Sequence, residues 1–198
     1  MKLVPIVLIA IGTCAIAQTD QLRIEEQKAV KEIERVGGTF AWITEDSKEL
    51  FCLDIENKSK VFDFRALSGL NRLNVLRIFQ GKIENKSLVH LTKLNRLELL
   101  VITSEGLTND GTKFIGKLTT LTKLDLMSNS ITGKGLQELR NLKSLRRLFL
   151  YNTTVVDADL VPLAEMTWLD ELCLPTTITD AGLAKLKTSL PKTSIRKF

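Results

Sequence analysis

Apolar and polar positions along this chain follow one spacing again and again: Leu-x-x-Leu-x-Leu, with Ile admitted at the last place. The copies read Leu50-Leu53-Ile55, Leu73-Leu76-Ile78, Leu94-Leu97-Leu99, Leu121-Leu124-Leu126, Leu145-Leu148-Leu150 and Leu169-Leu172-Leu174. First leucines recur every ~21 to 27 residues, a solenoid period. The last two apolar places are two apart, which is strand spacing and points both side chains the same way. After the triplet and a loop come apolar residues three apart, such as Leu136, Leu139 and Leu142, or Leu160, Leu163 and Met166. That spacing suits a short helix or a 3₁₀ turn.

A unit this short cannot bury its own leucines, so like units must stack. The predicted fold is α/β: a right-handed solenoid forming a short arc. A parallel sheet lines its concave side and short helices its convex side, because helices are wider than strands. The second unit reads short and the third long, and Val156-Asp157-Ala158-Asp159-Leu160 lacks the glycine of the equivalent loops, which predicts local distortion of the arc. Thr108, Thr132 and Thr179 each precede a helical stretch and fit the N-cap position. Asn129, Thr153 and Thr177 lie eight residues after their first leucines, where polar side chains can satisfy backbone groups in the bend.

Leu121-Thr122-Lys123-Leu124-Asp125-Leu126 and Ile178-Thr179-Asp180-Ala181-Gly182-Leu183 resemble the repeats of secreted bacterial leucine-rich-repeat proteins. These repeats are similar to the cysteine-containing subclass of F-box proteins. The resemblance extends from about Ala29, where Ala29 to Gly38 looks like the family's N-terminal helix and glycine pair, to the closing Leu190-Pro191. It implies a protein-binding scaffold and names no particular partner.

The chain begins Met1-Lys2, runs apolar from Leu3 to Ile11, and reaches Ala15-Ile16-Ala17 before polar residues. This is the layout of a secretory signal peptide over 1–17. Retention as an anchor and lipidation at Cys14 are the alternatives. Residues 18–49 are expected to cap the open end of the solenoid. A helix over 20–36 carries the stripe Leu22, Ala29, Ile33 and Val36, and a strand follows at 39–44. The repeat domain of about six units fills 50–198, and its last residues, 194–198, add a partial strand. The expected location is exported: periplasmic, cell-surface or extracellular, with no transmembrane span in the mature chain.

The net charge of +5 is spread without a basic block, so nucleic acid is not an expected partner. Cys52 and Cys173 fall in the first and sixth strands, about 24 Å apart, too far for a disulfide. Neither has neighbours at metal-ligand spacing. His90 is expected to be exposed on the helical side without a catalytic companion. Asn57-Lys58-Ser59, Asn85-Lys86-Ser87 and Asn152-Thr153-Thr154 match the glycosylation pattern by chance in a bacterial protein. No cofactor and no enzymatic activity are implied.

Function is expected on the concave face. One row there reads Glu56, Phe79, Leu100, Met127, Tyr151 and Pro175; the other reads Asp54, Arg77, Glu98, Asp125, Phe149 and Cys173. Arg77 has Asp54 and Glu98 within reach on adjacent strands. Phe79, Leu100, Met127, Phe149 and Tyr151 form the candidate partner-binding strip. Packing of these side chains against one another is the competing account. A protein is the first class of partner and an envelope polysaccharide the second. A regulatory or adaptor subunit of an envelope enzyme, and a structural envelope protein, are the alternative functions.

Overall fold

Each strand of the repeat donates its alternate side chains to one continuous core, and the pairing of the strands fixes which residues those are. The computed structural model describes residues 24–35, 37–45, 48–56 and 63–198. The expected signal segment 1–17 with Cys14, Leu22 and Val36 of the helical stripe, and Asn57-Lys58-Ser59 all lie outside the described residues.

The first helix, α1 (Ile24–Glu34), is followed by β1 (Gly38–Glu45) and β2 (Lys48–Glu56). Next come a 3₁₀ helix at Phe64–Gly69, β3 (Leu73–Lys82), a 3₁₀ helix at Asn85–Lys93 and β4 (Leu99–Glu105). Then α2 (Asn109–Ile115), β5 (Lys123–Asp125), α3 (Gly133–Leu139) and β6 (Arg147–Phe149) alternate. A 3₁₀ turn at Asp157–Asp159, α4 (Val161–Ala164), β7 (Glu171–Leu174), α5 (Asp180–Ser189) and β8 (Ser194–Lys197) complete the chain. The described strands form one sheet in sequence order; β1 is antiparallel to β2 and every later pair is parallel.

The pairing aligns Leu53, Leu76, Leu100, Leu124, Leu148, Leu172 and Ile195 in one row across the stack. The leucines of that row are fully buried, and Ile55, Ile78, Ile102, Leu126, Leu150 and Leu174 make the companion row. Leu88 and Leu91 of the second 3₁₀ helix, with Leu94 at its end, meet the sheet from the helical side. Their three-residue spacing keeps all three on one edge of a 3₁₀ turn.

This register corrects the third repeat. Its triplet is Leu97-Leu100-Ile102, and Leu94 instead ends the preceding 3₁₀ helix, its N–H bonded to the Leu91 carbonyl. The step from Leu76 to Leu100, Leu124, Leu148 and Leu172 is then a constant 24 residues, the separation also seen in the Asn152–Ser128 contact. The second and third units are therefore neither short nor long.

A side-chain ladder runs through the loops beneath the helices. Asn85 Oδ1 accepts the Thr108 N–H at 3.0 Å, Asn109 Oδ1 accepts the Thr132 N–H at 3.0 Å, and Asp157 Oδ1 accepts the Thr179 N–H at 2.9 Å. Each rung caps backbone in the next coil. The rungs explain the repeat glycine: a Cβ on Gly111 would stand 2.5 Å from Asn85 Oδ1, and one on Gly135 2.5 Å from Asn109 Oδ1. In the fifth coil Asp159 occupies the glycine's place and reaches backward, accepting the Gly133 N–H at 2.7 Å. Gly133 has taken the position of the Asn or Asp rung, and a Cβ there would meet Asp159. The expected distortion is confined to this coil's helical side, where a 3₁₀ turn and the four-residue α4 replace a longer helix.

The threonines divide. Thr108 and Thr179 accept N–H groups of their own helices, from Asp110 and Gly182. Thr132 makes no such cap; its hydroxyl takes the Asn109 side-chain N–H at 2.9 Å. Asn129 donates to the carbonyls of Ile102, Leu126 and Met127, Thr153 to Leu150, and Thr177 to Val155.

At the first edge of the sheet, Val30 and Ile33 of α1 enter the core. Glu26 of α1, buried, accepts two side-chain N–H groups of Arg72 in the turn before β3. Gly37, at φ +91°, turns the chain from α1 into β1.

Replacing Leu124 or Leu100 with Ala should cost about 2–5 kcal/mol in denaturant unfolding, because each leaves a cavity in the leucine row. Leu99→Ala, on the opposite face of the same strand, should cost no more than about 1 kcal/mol. The reverse order for Leu99 and Leu100 would mean the register is wrong. Gly135→Ala should lower stability by about 1–3 kcal/mol through overpacking against Asn109. An unchanged melting curve would show that the rung yields without cost.

Candidate functional site

The face of the sheet turned away from the helices is organised by the same register. Its first row, at the strand starts, is Cys52, Val75, Leu99, Lys123, Arg147, Glu171 and Ser194. The second is Asp54, Arg77, Val101, Asp125, Phe149, Cys173 and Arg196. The third begins Glu56, Phe79 and Thr103 and continues past the strand ends through Met127, Tyr151, Pro175 and Phe198.

Four of the five strip residues read from the sequence, Phe79, Met127, Phe149 and Tyr151, lie on this open face, each half-buried. Leu100 does not. It is fully buried in the leucine row, because the one-residue difference between Leu99 and Leu100 exchanges the faces of the strand. Glu98 likewise leaves the charged row, and Val101 takes its place. Residues missed in the sequence are Cys52, Val75, Leu99, Lys123, Arg147 and Phe198. A constant 24-residue step, applied in place of the leucine pattern, places Leu99, Lys123 and Arg147 in one row.

The open face changes character along the stack. Leu50, Cys52 and Val75 form a small buried apolar cluster with Leu99 packed against it, separate from the main core. Beside it Arg77 donates Nε and Nη2 to the two carboxylate oxygens of Asp54 at 2.6 and 2.7 Å, a two-point ion pair. Farther along, Lys123 Nζ sits 5.3 Å from the Phe149 ring centre. Tyr151 and Phe198 meet edge to face with centroids 6.1 Å apart. Arg196 pairs with Glu171.

Between these groups the surroundings penalise negative charge. Burial pushes the Asp125 carboxyl above its ordinary range, against the Met127 N–H it accepts at 3.0 Å and the Lys123 charge. Burial and then the Asp125 charge raise the Tyr151 phenol and the Cys173 thiol. Both effects favour the protonated thiol at Cys173. Cys52 and Cys173 are buried and five strands apart, and no disulfide joins them. His90 lies half-buried in the 3₁₀ helix on the other side of the sheet, away from Asp125 and Cys173. Among the described residues no three of His, Cys, Asp and Glu are grouped to hold a metal ion, and no helix is long and apolar enough to cross a membrane. A hollow of about 480 Å³, lined by Ile83, Glu84, Asn85, Lys86, Asp110, Lys113 and Phe114, lies among the loops and shares no residue with the open face.

Solved structures share this arrangement. An internalin (inlF) from Listeria monocytogenes is 27% identical, with a TM-score of 0.56 over 73% of this chain and 39% of its own. The fold is a leucine-rich-repeat fold. An internalin C2 (inlC2) of the same organism matches at 24% identity and a TM-score of 0.52, over 72% of this chain and 59% of its own. The chain thus spans about two fifths and three fifths of the internalins it matches. No protein-family model and no curated protein matches it.

Two aspartates of this leucine-rich-repeat stack should respond to pH in opposite senses. Asp125 has a raised folded pKa, so its charged form destabilises the fold above that pKa and the penalty disappears below the unfolded value. Asp125→Asn should equal or exceed the parent stability at neutral pH, with the difference closing on acidification. Asp157 has a lowered folded pKa, held down by the Thr179 hydroxyl and then the Thr179 N–H. Its contribution is present above the unfolded value and lost as pH falls through the folded one. Asp157→Asn should therefore be less stable at neutral pH and converge with the parent in acid. Melting temperatures across the carboxylate range check both; parallel pH curves for parent and variants would contradict the assignments.

Proposed function

We propose that this chain is a non-enzymatic protein-interaction module, exported to the bacterial cell envelope, that takes its partner on the open face of the sheet. The observation carrying this reading is the set of Phe79, Met127, Phe149 and Tyr151 on that face, all partly exposed, with Phe79 and Phe149 on the hydrogen-bonded parallel ladder and Met127 and Tyr151 just past its strand ends. Aromatic and Met side chains favour interface cores, and a rigid platform keeps the entropy cost of association low. The likeness to internalins supports an interaction scaffold. In this reading the stack winds as a right-handed arc with the open face concave, α1 and β1 seal its first end, and residues 1–17 direct export.

Met127→Ser combined with Tyr151→Ser tests the site. The double variant should melt within a few degrees of the parent and lose capture of an envelope protein by the mature chain, quantified by mass spectrometry. A large drop in melting temperature with capture intact would make these side chains packing elements of the sheet.

A further inference from the structure

We infer that the open face takes up a proton at Asp125 when it takes up its partner, so that acidification tightens binding. This deepens the proposed function and rests on it. The first argument is where the carboxylate sits. The register places Asp125 between Val101 of β4 and Phe149 of β6, with Met127 and Tyr151 just past the ends of β5 and β6. Val101 is almost completely covered, and Phe149, Met127 and Tyr151 are half-buried. Asp125 is itself half-buried, and its Oδ1 accepts the Met127 N–H at 3.0 Å. The carboxylate therefore lies inside the apolar strip rather than at its rim. A partner surface that covers Met127, Phe149 and Tyr151 also removes the water left around Asp125, and a desolvated charge is costly.

The second argument is the charge around it. In the free protein burial already outweighs the Met127 N–H and the Lys123 charge, and holds the carboxyl above its ordinary range. The other titratable or charged groups of the face near it are Arg147 and Tyr151 from β6, Cys173 and Glu171 from β7, and Arg77 from β3; β4 places the uncharged Val101 beside it. Arg77 is paired with Asp54, and Glu171 with Arg196. Tyr151 and Cys173 are both shifted toward their neutral forms, so neither supplies a compensating charge. With Lys123, Arg147 and Arg77 on the same face, a further cation from the partner is repelled. A proton neutralises the covered carboxylate instead, and covering raises its pKa again. The charged form opposes binding above the bound-state pKa. Affinity climbs as pH falls from that value to the pKa of the free protein, by at most about tenfold per pH unit for one proton.

The test uses the full chain and Nile red, an apolar dye uncharged between about pH 5 and pH 8, so that any proton taken up on binding belongs to the protein. Titrations followed by dye emission should give tighter binding as pH falls across that range. Asp125→Asn should bind at about pH 8 at least as tightly as the parent does at about pH 5, with no pH dependence. Met127→Ser combined with Tyr151→Ser should abolish the pH-dependent binding, and Glu171→Gln should keep the parent's pH profile. Capture of the envelope protein at the two pH values should follow the same order. Circular dichroism melting confirms that each protein is folded at each pH.

An acid-induced rise that persists in Asp125→Asn overturns the inference, because another group then takes up the proton. Binding by the parent that is flat in pH, or that weakens on acidification, overturns it as well. Weaker capture of the envelope protein by Asp125→Asn would mean that the partner brings a donor to the carboxylate, and also overturns it. In each of these cases the open face stands as the site. Dye binding and capture that both survive Met127→Ser with Tyr151→Ser overturn the inference and the site together. Absence of Nile red binding to the parent and to Asp125→Asn overturns the inference alone, since capture of the envelope protein is measured separately.

Discussion

Everything in this molecule follows from one constraint: a coil of about 24 residues has a leucine edge it cannot hide by itself. Burial comes only from the next coil, and the next coil must arrive in register for its own leucines to fit. The parallel ladder supplies that register, since its hydrogen bonds place Leu76 beside Leu100 and Leu100 beside Leu124. Once the inward row is set, the outward rows have no freedom left. The open face is thus a by-product of the packing of the opposite face, and its composition is where the chain can vary without disturbing the spine.

The variation is orderly. The first strands carry a small apolar cluster bordered by the Asp54–Arg77 pair, whereas the later strands carry cations, aromatics and a half-buried carboxylate. A partner meeting the two halves meets two chemistries. The first half has largely satisfied itself, with Cys52 and Val75 almost completely covered. The second leaves Arg147 and Phe198 in solvent. In the proposed function, association energy concentrates on desolvated aromatic anchors, and the weight of recognition then falls toward β5, β6 and the strand ends beside them.

Much of the architecture was legible in the amino-acid pattern because leucine spacing reports directly on which side chains share a face. The first and third repeats were the exceptions: in the first, Phe51 pairs with Leu73 and enters the core while Leu50 joins the open-face cluster, and the third misleads for a physical reason. Its stretch Leu91 to Ile102 satisfies the leucine pattern twice, once from Leu94 and once from Leu97, and apolar residues crowd both faces of β4. Pattern matching cannot separate the two; the repeat length can. That single ambiguity moved Leu100 onto the open face and hid Leu99 and Val101. Lys123 and Arg147 were left out of the outward rows because they precede a core leucine, where the Arg146-Arg147 pair reads as an ordinary solvated surface. The loop ladder was visible as helix-capping threonines, but its cross-coil direction was not, because a rung joins residues roughly one repeat apart and only stacking brings them together.

The exchange between Gly133 and Asp159 gives the coils an identity that their leucines lack. Elsewhere a coil offers a rung forward and leaves a gap behind; here the rung points backward and the gap lies ahead. Excising the fourth coil would bring Asp159 against Asn109, and excising the fifth would leave the Gly133 amide facing another glycine. The two coils are keyed to each other, so the array cannot be shortened or shuffled at this junction one unit at a time. Any change in the length of the solenoid there has to carry both as a pair.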